Sequence, residues 1–266
     1  MQLSQLLWPI NKPAQKFRIA QNISYGDHPM KRLDIYRPYT AGAEANLPVV
    51  IFWHGGSWSS GSKEQYIYLG MAIAKMDCVA VIIDYRKYPE IKFPAFTNDA
   101  IEALSWIYRN INQYGGNPTK LFTMGHSAGA HTAAMVTYYP EYLKSAGVPP
   151  SAIKGFIGVS GPYDFYPRRS LHAIFPITDP KQPWRIGPGI LKTTTPALLL
   201  HGYFDPIVRT KYSKLFAQQL RRAGAQVWLK HYLPFEHFLI IAAYMPLLRL
   251  LPGPWRNTKR FIKQYK

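Results

Sequence analysis

A serine between two glycines, in the stretch LFTMGHSAGAH (residues 121–131), has the spacing of a reactive hydroxyl group. The apolar run before the serine predicts a buried strand, and the small residues after it predict a helix. A sharp strand-to-helix turn strains its central residue and requires small residues two positions before and after it. Gly125 and Gly129 occupy those positions around Ser127. We therefore predict that the turn lifts the Ser127 hydroxyl clear of a sheet, where it acts as a nucleophile.

A second glycine-rich stretch, HGGSW (residues 54–58), follows an earlier apolar run. Acyl transfer requires backbone N–H groups aimed at the oxygen atom that becomes negatively charged, and glycines let a loop turn those groups inward. An ordinary Gly-Gly turn is the alternative interpretation of this stretch by itself. Because it accompanies the serine turn on another strand, we predict that it forms an oxyanion hole.

Three histidines are candidates for the base that would activate Ser127. His126 adjoins the serine, so we expect its side chain to point away from the hydroxyl, into the fold. His131 lies one turn along the following helix, but its segment contains no carboxylate that would orient it. His237, in LPFEHFL after the last apolar run, is the base that we predict.

The acid that would orient this base is Asp205, at the end of the run PALLLHGYFD. The chain order Ser127, Asp205, His237 is the one expected for a hydrolase with a nucleophile elbow. Asp164, in GPYD, is the runner-up acid, and the alternatives are a helix-capping Asp205 and a surface His237. Two neighbours of the site in sequence are assigned only supporting structure: His201 and Glu236.

This set of residues predicts covalent catalysis. Ser127 would attack an acyl carbonyl while His237 takes its proton, Asp205 would hold the imidazole, and water would release the acyl-enzyme. The eight histidines are dispersed and the single cysteine cannot build a thiolate cluster. We therefore expect neither a metal site nor a cofactor.

The elements that must position these residues alternate between short apolar runs and helical stretches. That alternation predicts an α/β fold, with a mostly parallel sheet covered by helices on both faces. One helix is expected between Pro94 and Asn112, and another is expected to stop at Gly224. Residues 1–266 form one domain in this interpretation. Eight strands are predicted, the first two as an antiparallel pair: FRIAQNISYG, MKRLDIYRP, VVIFWHGG, CVAVIIDYR, KLFTMGHS, GFIGVSG, PALLLHGYFD and VWLKHYLP.

Residues 163–195 interrupt this pattern. The segment is rich in proline, arginine and aromatic residues and has no clear period. A loop of this length inside a compact domain is usually functional or disordered. We predict that it is a short cap or lid, and we call it the cap segment.

Composition limits the classes of partner. The formal net charge is +18, from 32 Lys and Arg against 14 Asp and Glu, which favours anionic surfaces. The basic residues are scattered without a nucleic-acid motif, so we expect no nucleic-acid partner. The only cysteine, Cys78, fits a reducing compartment. The start MQLSQLLWPINKP lacks the features of a signal peptide, and no apolar run reaches about 18 residues, so we expect a cytoplasmic protein.

The C-terminal segment has two interpretations. The apolar stretch FLIIAAYMPLLRLL (residues 238–251) fits a helix that packs on the sheet and breaks at Pro246, followed by a basic surface helix from about Pro254. Alternatively, the stretch and the basic helix make peripheral contact with an anionic membrane, assisted by the short apolar N-terminus. Six basic residues follow Glu236, without an acidic one: Arg249, Arg256, Lys259, Arg260, Lys263 and Lys266.

The motifs HGGSW, DYRKYPEIKFPAFTNDA, GHSAGAH, SGPYD and HGYFDPIV together resemble those of the α/β-hydrolase superfamily. The branch is that of the HGG-motif carboxylesterases and lipases, including hormone-sensitive-lipase-like enzymes and kynurenine formamidases. Members like hormone-sensitive lipase usually have HGGG and GDSAGG, whereas this chain has Ser57, His126 and Ala130 at the differing positions. The resemblance is therefore closer to the kynurenine formamidases and small bacterial carboxylesterases.

This resemblance implies roles for individual residues. The oxyanion amides would be those of Gly56, Ser57 and Ala128, with Gly55 shaping the loop. Trp58 would border the acyl pocket, or serve only for packing. The expected function is hydrolysis of carboxylic esters with a short to medium acyl group, on a small-molecule substrate. The alternatives are an aryl-formamidase or related amidase, and a non-catalytic hydrolase-like protein that binds an acidic partner. The sequence leaves the oligomeric state open.

Overall fold

The computed structural model describes residues 17–187, 192–250 and 253–266. This part of the chain contains an eight-stranded sheet in the order β1-β2-β4-β3-β5-β6-β7-β8. The pairs β1/β2 and β2/β4 are antiparallel, and the remaining pairs are parallel. The strands are β1 (Arg18–Ser24), β2 (Arg32–Tyr36), β3 (Leu47–Trp53), β4 (Val79–Ile83), β5 (Gly116–His126), β6 (Ile153–Val159), β7 (Ala197–Gly202) and β8 (Val227–Tyr232).

Helices cover both faces of this sheet, as predicted. The central strands are buried on both faces, so alternate residues of β3 enter two different cores. One core contains side chains of α2, α3, α4 and α5, and the other contains side chains of α1, α6 and α7. The helices are α1 (Ile67–Ala74), α2 (Ala95–Asn110), α3 (Ala128–Tyr138), α4 (Pro140–Ala146), α5 (Lys211–Arg222), α6 (Leu239–Ala242) and α7 (Pro254–Tyr265).

The sheet register brings the candidate residues to one edge. In the parallel pair β3/β5, Trp53 is opposite Gly125, so the HGGSW loop begins beside the serine turn. In the pair β7/β8, Gly202 is opposite Tyr232, so the two loops that follow also start side by side. Because parallel strands end at the same edge, these four chain segments meet at the carboxyl end of the sheet.

The C-terminal segment packs against the sheet more closely than a surface helix would. Helix α6 ends at Ala242, before Pro246, and α7 begins at Pro254 as predicted. Phe261 and Ile262 of α7 are buried in the core, while its basic side chains are exposed. The N-terminal segment proposed to assist membrane contact, residues 1–13, lies outside the described residues.

The cap segment runs irregularly over the carboxyl edge of the sheet. In its described parts, residues 163–187 and 192–195, the only helical element is a single 3₁₀ turn (Arg169–Leu171). Residues 188–191 of the predicted cap lie outside the described part. Aromatic side chains fix the remainder, because they are buried in the same core as α2 and α3: Tyr163, Phe165, Phe175 and Trp184.

Candidate active site

The serine turn has the geometry that its glycines predict. Ser127 lies between the end of β5 and the start of α3, with φ 53° and ψ −122°. A non-glycine residue in this region of backbone space costs about 1–3 kcal/mol. A Cβ atom at Gly125 would collide with the Gly129 carbonyl, and a Cβ atom at Gly129 would collide with the Trp53 carbonyl of β3. The close approach of strand and helix therefore requires glycine at both positions.

The three side chains predicted for catalysis form one hydrogen-bonded chain. The Ser127 hydroxyl donates to His237 Nε2 over 3.0 Å, and His237 Nδ1 donates to Asp205 Oδ2 over 2.7 Å. All three residues are buried. A carboxylate acceptor at Nδ1 keeps the imidazole proton there, which leaves Nε2 free to accept the serine proton.

Asp205 is held in its ionised form by several donors. Its Oδ1 accepts the backbone N–H groups of Ile207 and Val208, at 2.9 and 2.8 Å. Burial favours the neutral acid, but hydrogen bonds from the side chains of His201 and His237 outweigh it and hold the Asp205 pKa well below its usual range. The carboxylate charge is therefore present throughout the neutral pH range, where it can stabilise a protonated His237.

His201 contacts this carboxylate directly, and we assigned it only supporting structure. Its Nε2 lies 3.3 Å from Asp205 Oδ2 and donates to the Val208 carbonyl over 2.8 Å. The residue is fully buried at the end of β7. The sequence signal for this contact is the spacing of four residues between His201 and Asp205 in HGYFD. A tight turn over such a short stretch can bring the two side chains together.

The two histidines near the serine donate to backbone carbonyls instead of approaching as a base. His126 Nε2 donates to the carbonyl of His237 over 2.9 Å, and burial together with the nearby His237 lowers the His126 pKa to about 3. His131 Nε2 donates to the Trp184 carbonyl over 2.7 Å, and burial lowers the His131 pKa to about 4. Both rings are neutral at pH 7, and His126 fixes the backbone of the residue that we predict as the base.

The other acidic candidates have separate partners. The runner-up, Asp164, accepts a hydrogen bond from Arg185 Nε over 2.6 Å within the cap segment. Glu236 caps the start of α6, where its carboxylate accepts the N–H groups of Phe238 and Leu239. The structure therefore brings Asp205, and neither of these two carboxylates, to His237.

The HGGSW loop has an unusual backbone. Gly56, Ser57 and Trp58 have φ angles of 124°, 52° and 57°. Gly55 passes so close to the elbow that a Cβ atom there would lie 3.1 Å from Ser127 Cβ. Within the described residues, the N–H groups of Gly56, Ser57 and Ala128 donate to no protein acceptor. Ser57 and Ala128 line one cavity with Ser127, and free N–H groups next to a reacting hydroxyl are what an oxyanion hole requires.

Side chains outside the loop hold its beginning in place. The Tyr85 hydroxyl donates to the His54 carbonyl over 2.8 Å, and the two rings stack with centroids 4.5 Å apart. Asp84 accepts the backbone N–H of Lys63 over 2.8 Å, five residues after the loop. These contacts hold the chain on either side of the strained residues, so their conformation does not have to be maintained by the glycines alone.

A cavity of 120 Å³ opens on Ser127. Engineered cavities of about 150 Å³ bind benzene, so this volume admits a small acyl or aryl group. The Trp58 ring lines the cavity and also stacks on Phe165 of the cap segment, with centroids 5.8 Å apart. Trp58 thus both packs and borders the site. The remaining walls come from the HGGSW loop, the serine turn, the cap segment and the loop after Asp205, and include Ser57, Ala128, Tyr166, Arg168, Ile207 and Val208.

Metal sites and membrane-spanning helices are two further features that bear on function. Among the residues that the structure describes, no group of three or more His, Cys, Asp or Glu side chains could hold a metal ion. No helix in the described part of the chain has the length and apolar character needed to cross a membrane.

Comparisons with known proteins agree with the motifs. The family model named BD-FAE matches residues 33–185, more than half of the chain. The isoprenylcysteine alpha-carbonyl methylesterase ICME of Arabidopsis thaliana is 32% identical over 238 residues, which cover 81% of this chain and 55% of the plant protein. Esterase LipQ of Mycobacterium tuberculosis is 29% identical over 223 residues, which cover 77% of this chain and 53% of LipQ. The chain spans about half the length of these curated relatives.

Solved structures share the fold at lower sequence identity. The apo form of Thermogutta terrifontis esterase 2 has a TM-score of 0.70 and 23% identity, and the match covers 86% of this chain and 90% of that one. A truncated form of a carbohydrate esterase from gut microbiota has a TM-score of 0.76 and 18% identity, with coverage of 92% and 95%. These similarities confirm the predicted fold.

Proposed function

The chain belongs to the BD-FAE family, within the carboxylesterase branch of the α/β-hydrolases, and from this premise we propose that it is a serine hydrolase of carboxylic esters with short to medium acyl groups. The observation that carries the proposal is the hydrogen-bonded chain from the Ser127 hydroxyl through His237 to Asp205. Family membership by itself supports ester hydrolysis, and this chain supplies a nucleophile and base for it.

The proposed reaction has two halves. Ser127 Oγ forms a bond to the acyl carbonyl carbon as its proton passes to His237 Nε2, and the carbonyl oxygen becomes an oxyanion. The N–H groups of Gly56, Ser57 and Ala128 stabilise that charge. When the tetrahedral intermediate collapses, the bond to the alcohol oxygen breaks and His237 returns the proton to the leaving alcohol. Water then repeats the sequence on the acyl-enzyme and releases the acid.

Small acyl groups are favoured by the size of the cavity, 120 Å³. The plant relatives are named as methylesterases, which makes methyl esters, with methanol as the leaving alcohol, the first natural substrates to test. An N-formyl amide also has a very small acyl group, so aryl-formamidase activity is the alternative within the same mechanism. Parallel turnover of p-nitrophenyl acetate and N-formylkynurenine separates the two, because each substrate reports one of these activities.

Covalent labelling tests whether the site is catalytic at all. A fluorophosphonate probe should label the protein, and Ser127→Ala should abolish both labelling and hydrolysis of p-nitrophenyl esters while the circular dichroism spectrum is unchanged. An unlabelled wild-type protein would favour the other class of function, a hydrolase-like protein that binds an acidic partner. Ser160→Ala, at a serine that is also buried with positive φ, is the matched control and should leave labelling intact.

Peripheral contact with an anionic membrane from the cytoplasmic side stays a second proposal. The basic side chains of α7 are exposed, as is Leu247, whereas Ile240 and Ile241 of the apolar stretch are buried in the core. The contact would therefore depend more on charge than on apolar insertion. Flotation with acidic vesicles at increasing salt measures it, and absence of vesicle binding at low ionic strength would refute it.

A further inference from the structure

An arginine lines the same cavity as the candidate nucleophile. Arg168 belongs to the cap segment and is exposed, and the cavity that it lines also contains Ser127 and Ala128. Its neighbour Arg169 is exposed as well but does not line the cavity. One of two adjacent arginines is thus directed to the site.

The Arg168 side chain is tethered in this position. Its Nη2 donates to the carbonyl of Ile207 over 2.6 Å. The N–H of Ile207 in turn donates to Asp205 Oδ1 over 2.9 Å. The guanidinium is therefore fixed to the loop that carries the proposed catalytic acid, and the cost of ordering a long side chain on binding is already met.

Arg168 has no carboxylate partner among the described residues, and residues 1–16, 188–191 and 251–252 contain no Asp or Glu. Two other arginines do have carboxylate partners: Arg185 pairs with Asp164, and Arg86 pairs with Asp99. An arginine offers five N–H donors, and the Ile207 carbonyl uses only part of that capacity. The planar fork of a guanidinium matches carboxylate and phosphate oxygens.

We propose that Arg168 forms an anion subsite, so that the preferred substrate is an ester that also carries a carboxylate or phosphate group. The preference for an anionic ester rests on the proposed ester hydrolysis, whereas the binding of an anion by Arg168 does not. The formal net charge of +18 acts in the same direction, because it raises the local concentration of anions around the site. The hydroxyl groups of Tyr166 and Ser170, which line the same cavity, are available as further donors.

Matched substrates and matched variants test the subsite. Release of 4-nitrophenol is measured from the hydrogen succinate, glutarate and adipate monoesters and from the butanoate, pentanoate and hexanoate esters of equal carbon number. A further pair, 4-acetoxybenzoate and phenyl acetate, tests a carboxylate on the alcohol part of the ester instead of the acyl part. Arg168→Gln should lower the ratio of kcat/KM for the anionic over the neutral ester by about tenfold in at least one pair, as expected for loss of a charge-assisted hydrogen bond.

Arg169→Gln removes the same formal charge one residue away, so it controls for the change in net charge. It should leave the ratio of kcat/KM for the anionic over the neutral ester within about twofold. An unchanged ratio in Arg168→Gln for every pair, or an equal fall in Arg169→Gln, would overturn the subsite.

Binding without turnover separates this inference from the proposed function. In a Ser127→Ala background, the binding of adipate and of inorganic phosphate is measured by calorimetry. Adding Arg168→Gln should raise the Kd of the anion that binds more tightly by about tenfold. Adding Arg169→Gln should leave that Kd unchanged. If the wild-type protein hydrolyses no ester but the anion binds through Arg168, the proposed function fails and the subsite stands. If esters are hydrolysed but neither anion binds, the subsite fails alone.

Discussion

Two buried histidines around the elbow should make the folded protein sensitive to acid. His126 and His131 donate to backbone carbonyls, of His237 and Trp184, and burial lowers their pKa values to about 3 and about 4. In the unfolded chain both imidazoles regain an ordinary pKa near ~6.5. The unfolded state therefore binds two more protons than the folded state over the pH range between these values.

The sign and size of the effect follow from linkage. Stability rises with pH wherever the unfolded state binds more protons, at about 1.4 kcal/mol per pH unit for each proton. The free energy of unfolding should therefore fall as the pH drops below ~6.5, by about 2–3 kcal/mol between pH 6 and pH 5 for the two histidines together. Against a total stability of about 5–15 kcal/mol, this loss is large. Asp205 acts separately, because an ordinary aspartate takes up its proton only near pH ~4.

Urea unfolding at pH 7, 6, 5.5 and 5 measures the slope, and variants assign it. His126→Gln and His131→Gln should each reduce the pH dependence by close to one proton, even if each also lowers stability at pH 7 through the weakened carbonyl contact. His172→Gln, at a half-buried histidine of the cap segment, is the control for histidine number. A wild-type free energy of unfolding that stays constant between pH 6 and pH 5 would refute the assignment of neutral, buried imidazoles.

Three further outcomes are expected from single substitutions. His237→Gln should lower kcat by about 10⁴-fold or more and abolish fluorophosphonate labelling, since the serine loses its base; near-normal labelling would exclude His237 from that role. Asp205→Asn should lower kcat by about 10⁴-fold while Asp164→Asn leaves it within about twofold, which kinetics of a p-nitrophenyl ester would measure; the reverse order would reinstate the runner-up acid. Gly129→Ala should destabilise the fold by about 1–3 kcal/mol or more in urea unfolding, because the added methyl group meets a carbonyl of β3, and unchanged stability would contradict that packing.

Local rules allowed the serine turn and the strands to be predicted. The glycine spacing around Ser127 is required by the close approach of strand and helix in this type of turn. The buried strands are recognisable because they are continuous apolar runs. Helix α2, predicted between Pro94 and Asn112, spans Ala95–Asn110. Strand β5 begins earlier than predicted, at Gly116, which pairs with Leu47 of β3. A register shift follows this pair, and the polar residues before Leu121 do not show the apolar pattern of a buried strand.

Contacts that depend on tertiary structure could not be predicted from the sequence. The hydrogen bond from His126 to the His237 carbonyl joins segments that are more than 100 residues apart, and they meet only when the strands are ordered. The course of the cap segment follows from aromatic packing on Trp58 and not from a period. The start of α6 follows Glu236, whose carboxylate accepts the Leu239 N–H, a contact that the apolar run does not indicate.

The distribution of charge connects the fold to the anion subsite. Several of the 14 acidic residues are buried, where they hold the architecture: Asp34, Asp84, Asp99 and Asp205. Lys63 is a buried basic residue, and it pairs with Asp34 over 3.2 Å. Buried charges are thus mainly negative, so the positive side chains that produce the net charge of +18 lie mainly at the surface. An anionic ester is attracted by this field from a distance and selected by Arg168 at contact, so raising the salt concentration should slow its capture while the discrimination at the cavity persists.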